Sequence, residues 1–368
     1  MIGSATPSPC VTLAILCLIA TVGLAGSFLY LSALPLMAES FGASEPAAQA
    51  TLTAFLLGSC LWLALCCRAV DRFEHRRAFT VAGLILVIAS LAAAMTSDIR
   101  QLVAARLVQG AESVARIVTA RTTMPPERAM QSMALLTAVV PLSPAAGLGL
   151  VGILGAQLVL PSGIPVLVRN HPPLPEAAIL RNSQFRAALL INMTSNSTVV
   201  VMMAGTPFIF VEAFGFSPAA YAAVIAGILI LFAIVSLVSG QLAARLCAER
   251  PLSWSVIPIG TGAALLIAGR LPYPSPTIVV FGLILLIGSM GLMVPNAHIL
   301  MLEPFPTVAK TAAGLAMLIT TAGGALAITL YSVIAAGSVA GFGQLTACCG
   351  VSTLLSWVLL PRLIGTNT

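Results

Sequence analysis

Long apolar runs alternate with short polar segments from one end of the 368-residue chain to the other. Crossing a bilayer core about 30 Å thick takes roughly 20 helical residues, and most of the runs reach that length. They lack the apolar–polar alternation over about ten residues that a transmembrane β-barrel requires. The pattern therefore predicts an all-α polytopic membrane protein with about 11 or 12 transmembrane helices. We expect spans near residues 10–37, 50–70, 78–97, 99–120, 187–211, 218–244, 252–269, 276–302, 311–336 and 341–361, with a compressed region at 131–168.

The composition agrees with a chain that lipid mostly surrounds, since 59% of its residues are hydrophobic and 8% are charged. The net charge of +6 comes from basic residues scattered between the spans. They form no single patch, so no nucleic-acid partner is expected. The eight cysteines show no metal-ligand spacing and are interpreted as small apolar fillers. No cofactor is predicted, and the lipid bilayer is the expected surrounding.

Loop charges predict the orientation, because short cytoplasmic loops hold the excess of lysine and arginine. Placing the charged loop "CRAVDRFEHRR" (67–77) inside leaves only Arg100 and Arg270 among the loop cations on the outer side. Segment 169–186 and the C-terminus are then cytoplasmic. The cations that this orientation also places inside are Arg121, Arg128, Arg169, Arg181, Arg186, Arg245, Arg250, Lys310 and Arg362.

The region 131–168 does not fit a single span. Arg128 before it and Arg169 after it are both expected inside, so the chain must cross an even number of times. Its 38 residues are too few for two full spans and a turn. We therefore predict a compressed hairpin or a re-entrant pair of helices, packed against protein.

A short internal repeat predicts two related halves. "ESFGAS" at Glu39–Ser44 recurs as "EAFGFS" at Glu212–Ser217, an offset of 173 residues. Two pseudo-symmetric helix bundles are expected, residues 1–168 and 187–368, joined by the Pro-rich cytoplasmic linker 169–186. Such repeats in transporters enclose the substrate path between the halves.

Five stretches resemble motifs of the major facilitator superfamily, and within it of the drug:proton antiporters of the bicyclomycin and chloramphenicol resistance type. They are "LYLSALPLMAESFGAS" (first-helix end), "CRAVDRFEHRR" (the G-x-x-x-D-R-x-G-R-R loop), "RLVQG" (fourth-helix R-x-x-x-G), "PLSPAAG" (fifth-helix antiporter motif) and "PNAHILMLEPFP" (tenth helix and loop). The resemblance covers nearly the whole chain. It implies a monomeric transporter of a bacterial inner (plasma) membrane that exports small amphipathic or cationic drugs in exchange for protons by alternating access.

The sequence also departs from that pattern. Cys67 and Glu74 stand where the loop motif has glycines, and Phe28 stands where the branch carries an acidic residue in the first helix. The sixth-helix region is short. These departures keep a second hypothesis open, that of a degenerate or non-proton-coupled member with reduced or no transport.

The loop 67–77 carries the candidate gating residues Asp71, Arg72 and Arg76. The resemblance implies that they hold the cytoplasmic end of one bundle by charge-assisted hydrogen bonds until substrate or protons release it. The alternative is a solvated loop whose charge serves only to set the topology.

The candidates for proton coupling lie in and after the fourth span. Arg106 must face protein or water, because an unpaired guanidinium in lipid is costly; the resemblance implicates it in proton transfer, and a structural hydrogen-bond donor is the alternative. Glu112 is the only carboxylate well inside a predicted span, and Arg116 follows it at i+4. The pair is either a titrating acid beside a cation or an ion pair that neutralises both charges.

Polar side chains in other spans are candidates for lining the substrate cavity: Tyr30, Asn192, Asn196 and Asn296. Interhelical hydrogen bonding is the alternative role for the asparagines. His298 is a weaker candidate for a proton site. No ATP-binding motif is present. Two of the three histidines lie in predicted loops and the third is alone in a helix, so no nucleophile–base pair or metal cluster at membrane depth is indicated. An enzyme is therefore not expected.

Overall fold

The computed structural model describes residues 34–69, 75–111, 113, 176–246, 249–268, 275–306, 308–334 and 338–364. Within these ranges all regular structure is helical, which confirms the predicted all-α fold. The helices are α1 (Leu34–Ser40), α2 (Glu45–Ala69), α3 (His75–Ala94), α4 (Ile99–Gln109), α5 (Glu176–Arg181), α6 (Ser183–Pro207), α7 (Pro218–Leu246), α8 (Glu249–Trp254), α9 (Val256–Ala268), α10 (Pro276–Leu302), α11 (Ala309–Ile334) and α12 (Val339–Ile364). A π-helical turn, Phe208–Ala213, continues α6.

Seven stretches among the described residues are long and apolar enough to cross a membrane: Glu45–Leu65, Ser183–Ala213, Pro218–Ala243, Glu249–Ala268, Pro276–Leu302, Thr311–Ile334 and Val339–Val358. Large apolar side chains cover their outer faces, among them Leu57, Ile234 and Val333. A continuous exposed apolar surface of this kind is stable in lipid. The chain is thus a multi-pass membrane protein. The predicted hairpin at 131–168 and most of the predicted first span lie outside the described residues.

The helix ends follow from local capping. α6 begins at Ser183, four residues before the predicted span, because the side-chain oxygen of Asn182 accepts a hydrogen bond from the Phe185 N–H at 2.9 Å. Asp98 caps α4 in the same way by accepting from the Arg100 N–H at 3.1 Å. The predicted linker 169–186 therefore ends in regular structure, since it contains α5 and the first turn of α6.

The two copies of the sequence repeat adopt the same turn. Gly42 and Gly215 are the positive-φ glycines of the described residues, at φ 58° and 67°. A residue with a Cβ would be strained in this left-handed conformation, which explains the glycine in both copies. The next helix starts alike in both, since the Ser44 and Ser217 carbonyls accept the first helical bonds, at 3.0 Å each. The repeat is therefore structural, and the division into 1–168 and 187–368 that it suggested stays a prediction.

Close helix pairs position the polar residues of α4. α4 packs on α2 where Gly58 meets Gly110, and a Cβ on Gly58 would overlap the Leu107 carbonyl. α2 in turn packs on α11, with Leu56 beside Gly324 and the Cys60 Sγ 4.0 Å from the Leu318 carbonyl oxygen. The α2–α11 contact joins the two predicted bundles. On the far side, α6 is surrounded by α10, α11 and α12.

Candidate functional site

Arg106 lies inside the protein, as the cost of a guanidinium in lipid requires. Its side chain is 7% exposed and lines an open-sided cavity of about 450 Å³ between the ends of α1, α3 and α4. The cavity wall combines polar and apolar side chains: Met37, Ser40, Phe41, Ser90, Ala93, Ala94, Thr96, Leu102 and Gln109. A buried cation beside such a cavity can bind a carboxylate or stabilise its ionised form.

A hydrogen bond fixes the wall next to Arg106. Gln109, one helical turn further along α4, donates from Nε2 to the Ser90 Oγ of α3 at 3.0 Å. Gln109 and Arg106 therefore share one face of α4, next to the side that makes the glycine contact with α2. The α2–α4 packing and the α3–α4 hydrogen bond together hold this polar face toward the cavity.

A second polar group joins α6 to α10. Asn192 is 3% exposed, and its Nδ2 lies 2.8 Å from the His298 Nδ1. The same ring nitrogen lies 2.9 Å from the Val294 carbonyl oxygen, one turn back along α10. Nearer the N-terminal end of α6, Gln184 donates to the Glu303 carboxylate and to the Leu300 carbonyl oxygen, both at 3.0 Å. Polar contacts thus line this helix pair at two levels.

The other two asparagines also form interhelical hydrogen bonds. Asn196 donates from α6 to the Thr320 carbonyl oxygen of α11 at 3.2 Å. Asn296 donates from α10 to the Ser239 Oγ of α7 at 2.6 Å, and also lies 2.6 Å from the Leu292 carbonyl oxygen. These contacts are the interhelical hydrogen bonds that were the alternative to a role in lining the substrate cavity. Substrate contact by the asparagines stays a prediction.

Several predicted site residues lie outside the described part of the chain. They are Tyr30, Asp71, Arg72, Glu112 and Arg116. Arg76 falls in the first turn of α3, and the structure describes its backbone only. The proposed grouping of Glu112 with Arg106 and Arg116, and the proposed gating loop, are therefore not tested.

Sequence reasoning missed a polar group between the two predicted bundles. Gln49 in α2 is fully buried and donates to the Glu45 carboxylate at 2.9 Å. The buried Tyr331 of α11 lies near both side chains, and its hydroxyl points toward Gly205 of α6. This hydroxyl has no hydrogen-bond partner among the described residues. The signal was present as a glutamate and a glutamine at i, i+4 at the start of a span, but only the fold brings Tyr331 to them.

The fold and its polar groups define a class of protein before any comparison. Membrane-spanning helices with buried, hydrogen-bonded asparagines, together with a buried arginine beside an open-sided cavity, are typical of a membrane transport protein. The comparison with known families gives the same result: residues 16–328 match the Major Facilitator Superfamily. The chain belongs to this superfamily, so its family and fold are those of transporters and not of enzymes.

Related proteins span the same length. The multidrug resistance protein MdtL of Klebsiella pneumoniae is 26% identical, and the match covers 91% of this chain and 92% of that one. Among solved structures, the human organic anion transporter MFSD10 (TETRAN) has a TM-score of 0.70 at 15% identity, covering 96% of this chain and 100% of that one. A bacterial homologue of the iron transporter ferroportin, in an outward-facing state, has a TM-score of 0.69 at 14% identity, with 96% and 99% covered. The two structural likenesses concern the fold.

Proposed function

We propose that this protein exports small amphipathic or cationic drugs across a bacterial inner membrane in exchange for protons. The observation that carries the proposal is the end-to-end similarity to a multidrug resistance protein, 26% identical over 91% of the chain. The buried Arg106 beside a cavity supports it, because a fixed cation inside a span can tune a proton-binding acid.

The proposed mechanism is alternating access. Residues 1–168 rock against 187–368 about an interface to which α2 and α11 contribute. Binding of a proton shifts the equilibrium between the inward-facing and outward-facing states only if one of these states binds the proton more tightly. Glu112, with Arg106 and Arg116, is the proposed site of that preference, and Asp71, Arg72 and Arg76 are the proposed cytoplasmic latch. We propose that the protein works as a monomer, with the 169–186 linker and the C-terminus in the cytoplasm.

Inverted membrane vesicles test the proposal directly. Ethidium uptake driven by an inward-acid pH gradient is measured for the parent and for Glu112→Gln, which keeps the size of the side chain and removes its titration. The proposal expects uptake by the parent that stops when an ionophore dissipates the gradient, and at least a tenfold loss in the variant. Gradient-driven uptake that is equal in both proteins would exclude Glu112 from the coupling.

The departures at Phe28, Cys67 and Glu74 support a second candidate, a facilitator without proton coupling or a member with reduced transport. Such a protein would carry ethidium down its own gradient at a rate that the pH gradient does not change. A protein without transport would show no uptake above empty vesicles, although the protein is inserted.

A further inference from the structure

One ring nitrogen of His298 lies within hydrogen-bonding distance of both a donor and an acceptor. Nδ1 lies 2.8 Å from the Asn192 amide nitrogen, which can only donate, and 2.9 Å from the Val294 carbonyl oxygen, which can only accept. Nδ1 offers either a lone pair or a hydrogen, never both. The tautomer of the neutral ring and its charge state together decide which of the two contacts forms.

We propose that His298 is a proton-binding residue whose protonation breaks the hydrogen bond between Asn192 in α6 and His298 in α10. In the neutral ring, Nε2 carries the hydrogen and the Nδ1 lone pair accepts from Asn192. A proton taken from water forms the N–H bond with that lone pair, and the new Nδ1–H donates to the Val294 carbonyl oxygen. The Asn192 amide then has no acceptor on the ring. The inference rests on the proposed proton-coupled transport for its role in the cycle.

The position of Asn192 and His298 allows a proton to reach the ring and allows the lost hydrogen bond to change the packing of α6 on α10. His298 is only partly buried and lies four residues before the end of α10, at the side predicted to be cytoplasmic. Asn192, by contrast, is 3% exposed, so an amide that loses its acceptor there is costly. Pro295 interrupts the helical hydrogen bonds within one turn of His298. A helix is easier to bend at such a point, which lets α10 respond to the lost contact.

Among the residues that the structure describes, no hydrogen bond or ion pair joins His298 to a charged side chain. On the helices packed against α10, the charged side chains that the structure describes are Arg186 in α6 and Glu249 and Arg250 in α8. Glu303, just beyond α10, is bonded to Gln184.

A direct test observes the ring itself. The chain has three histidines, so His75→Gln with His171→Gln leaves His298 as the only one. The full-length variant is labelled with ¹⁵N-histidine and placed in lipid nanodiscs, and the ring nitrogens are followed by NMR between pH 4.5 and 8.5. We expect a neutral ring with Nε2–H at high pH and a doubly protonated ring at low pH. A ring that keeps one charge state over this range, or that carries the hydrogen on Nδ1 when neutral, would overturn the proposal.

Two substitutions of Asn192 in the same background test the contact. Asn192→Leu removes the donor that stabilises the neutral ring, so proton affinity should rise roughly threefold to tenfold. Asn192→Asp supplies an acceptor for the protonated ring, and the rise should be larger. A lower proton affinity in Asn192→Leu would mean that Asn192 accepts from the ring, which contradicts the proposed switch.

Equilibrium binding of ethidium to the purified protein separates this inference from the proposed function. The inference expects the parent's affinity to change between pH 5.5 and 8.5 and His298→Gln to remove at least half of that change. A variant with the parent's pH profile overturns the link to transport. If the parent binds no ethidium or other drug at any pH, the proposed function fails, and the NMR titration alone decides the proton site.

Discussion

Gly58 is the position where an added methyl group should disturb the fold most plainly. A Cβ there would overlap the Leu107 carbonyl of α4, which is backbone and cannot rotate away. Gly58→Ala must therefore move α2 and α4 apart at their closest contact, beside Gly110. Overpacking of this kind costs about 1–3 kcal/mol, against a gain of roughly 0.8–1 kcal/mol from the higher helix propensity of alanine.

Gly227 in α7 is the matched control. It also lies within a transmembrane helix, but nothing stands within 4 Å of its added Cβ. Gly227→Ala should show only the propensity gain. The difference between the two variants isolates the packing cost, with Gly58→Ala less stable than Gly227→Ala by about 1–3 kcal/mol.

The free energy of unfolding in mixed detergent micelles, followed by circular dichroism as the fraction of dodecyl sulfate is raised, measures this difference. Gly58→Ala should unfold at a clearly lower fraction than Gly227→Ala. A Gly58→Ala protein as stable as Gly227→Ala would refute the close α2–α4 contact, and with it the placement of Arg106 against the cavity.

Four further variants test other parts of the structure. Gly215→Ala should cost about 1–2 kcal/mol in the same unfolding assay, and Gly42→Ala a similar amount, because both turns need a positive φ; no cost at either position would contradict the shared turn. Asn296→Ala should cost about 0.6–2 kcal/mol through loss of the hydrogen bond to Ser239, and a neutral result would argue against that bond. Arg106→Gln should reduce gradient-driven ethidium uptake at least tenfold while insertion persists, and unchanged uptake would exclude a role in coupling.

The spans could be predicted because lipid imposes a simple rule on helix length. The prediction for α10, 276–302, agrees with the observed helix, and that for α7, 218–244, misses only its last two residues. Pro218 and Pro276 mark both starts, since proline is favoured in the first helical turn. The "EAFGFS" repeat predicted two related halves, and the structure shows the same positive-φ glycine in both copies.

The contacts between helices could not be predicted in the same way. Helices such as α7 and α10 are apolar on nearly every side, so their sequences give little indication of which face meets a neighbour. Asn192 and His298 were each singled out, yet their pairing depends on how α6 and α10 are rotated about their axes. Tyr331 gave no signal at all, because its polar neighbours lie on α2, far away in the sequence.

The candidate site was predicted in part for a related reason. Arg106 was expected to face the interior because a cation in lipid is unstable, and it does. Its neighbours Ser90 and Gln109 are ordinary polar residues with no distinguishing motif, and only the α3–α4 packing joins them.

Proton movement coupled to drug movement tests the central claim most directly. The purified protein is reconstituted in liposomes that contain a pH-sensitive dye, and an ethidium gradient is imposed without any initial pH difference. Proton–drug exchange predicts that ethidium entry drives protons out, so that the lumen becomes alkaline in proportion to the drug taken up, and that Glu112→Gln abolishes the pH change. Ethidium entry with no change in lumenal pH would contradict the account and identify a facilitator.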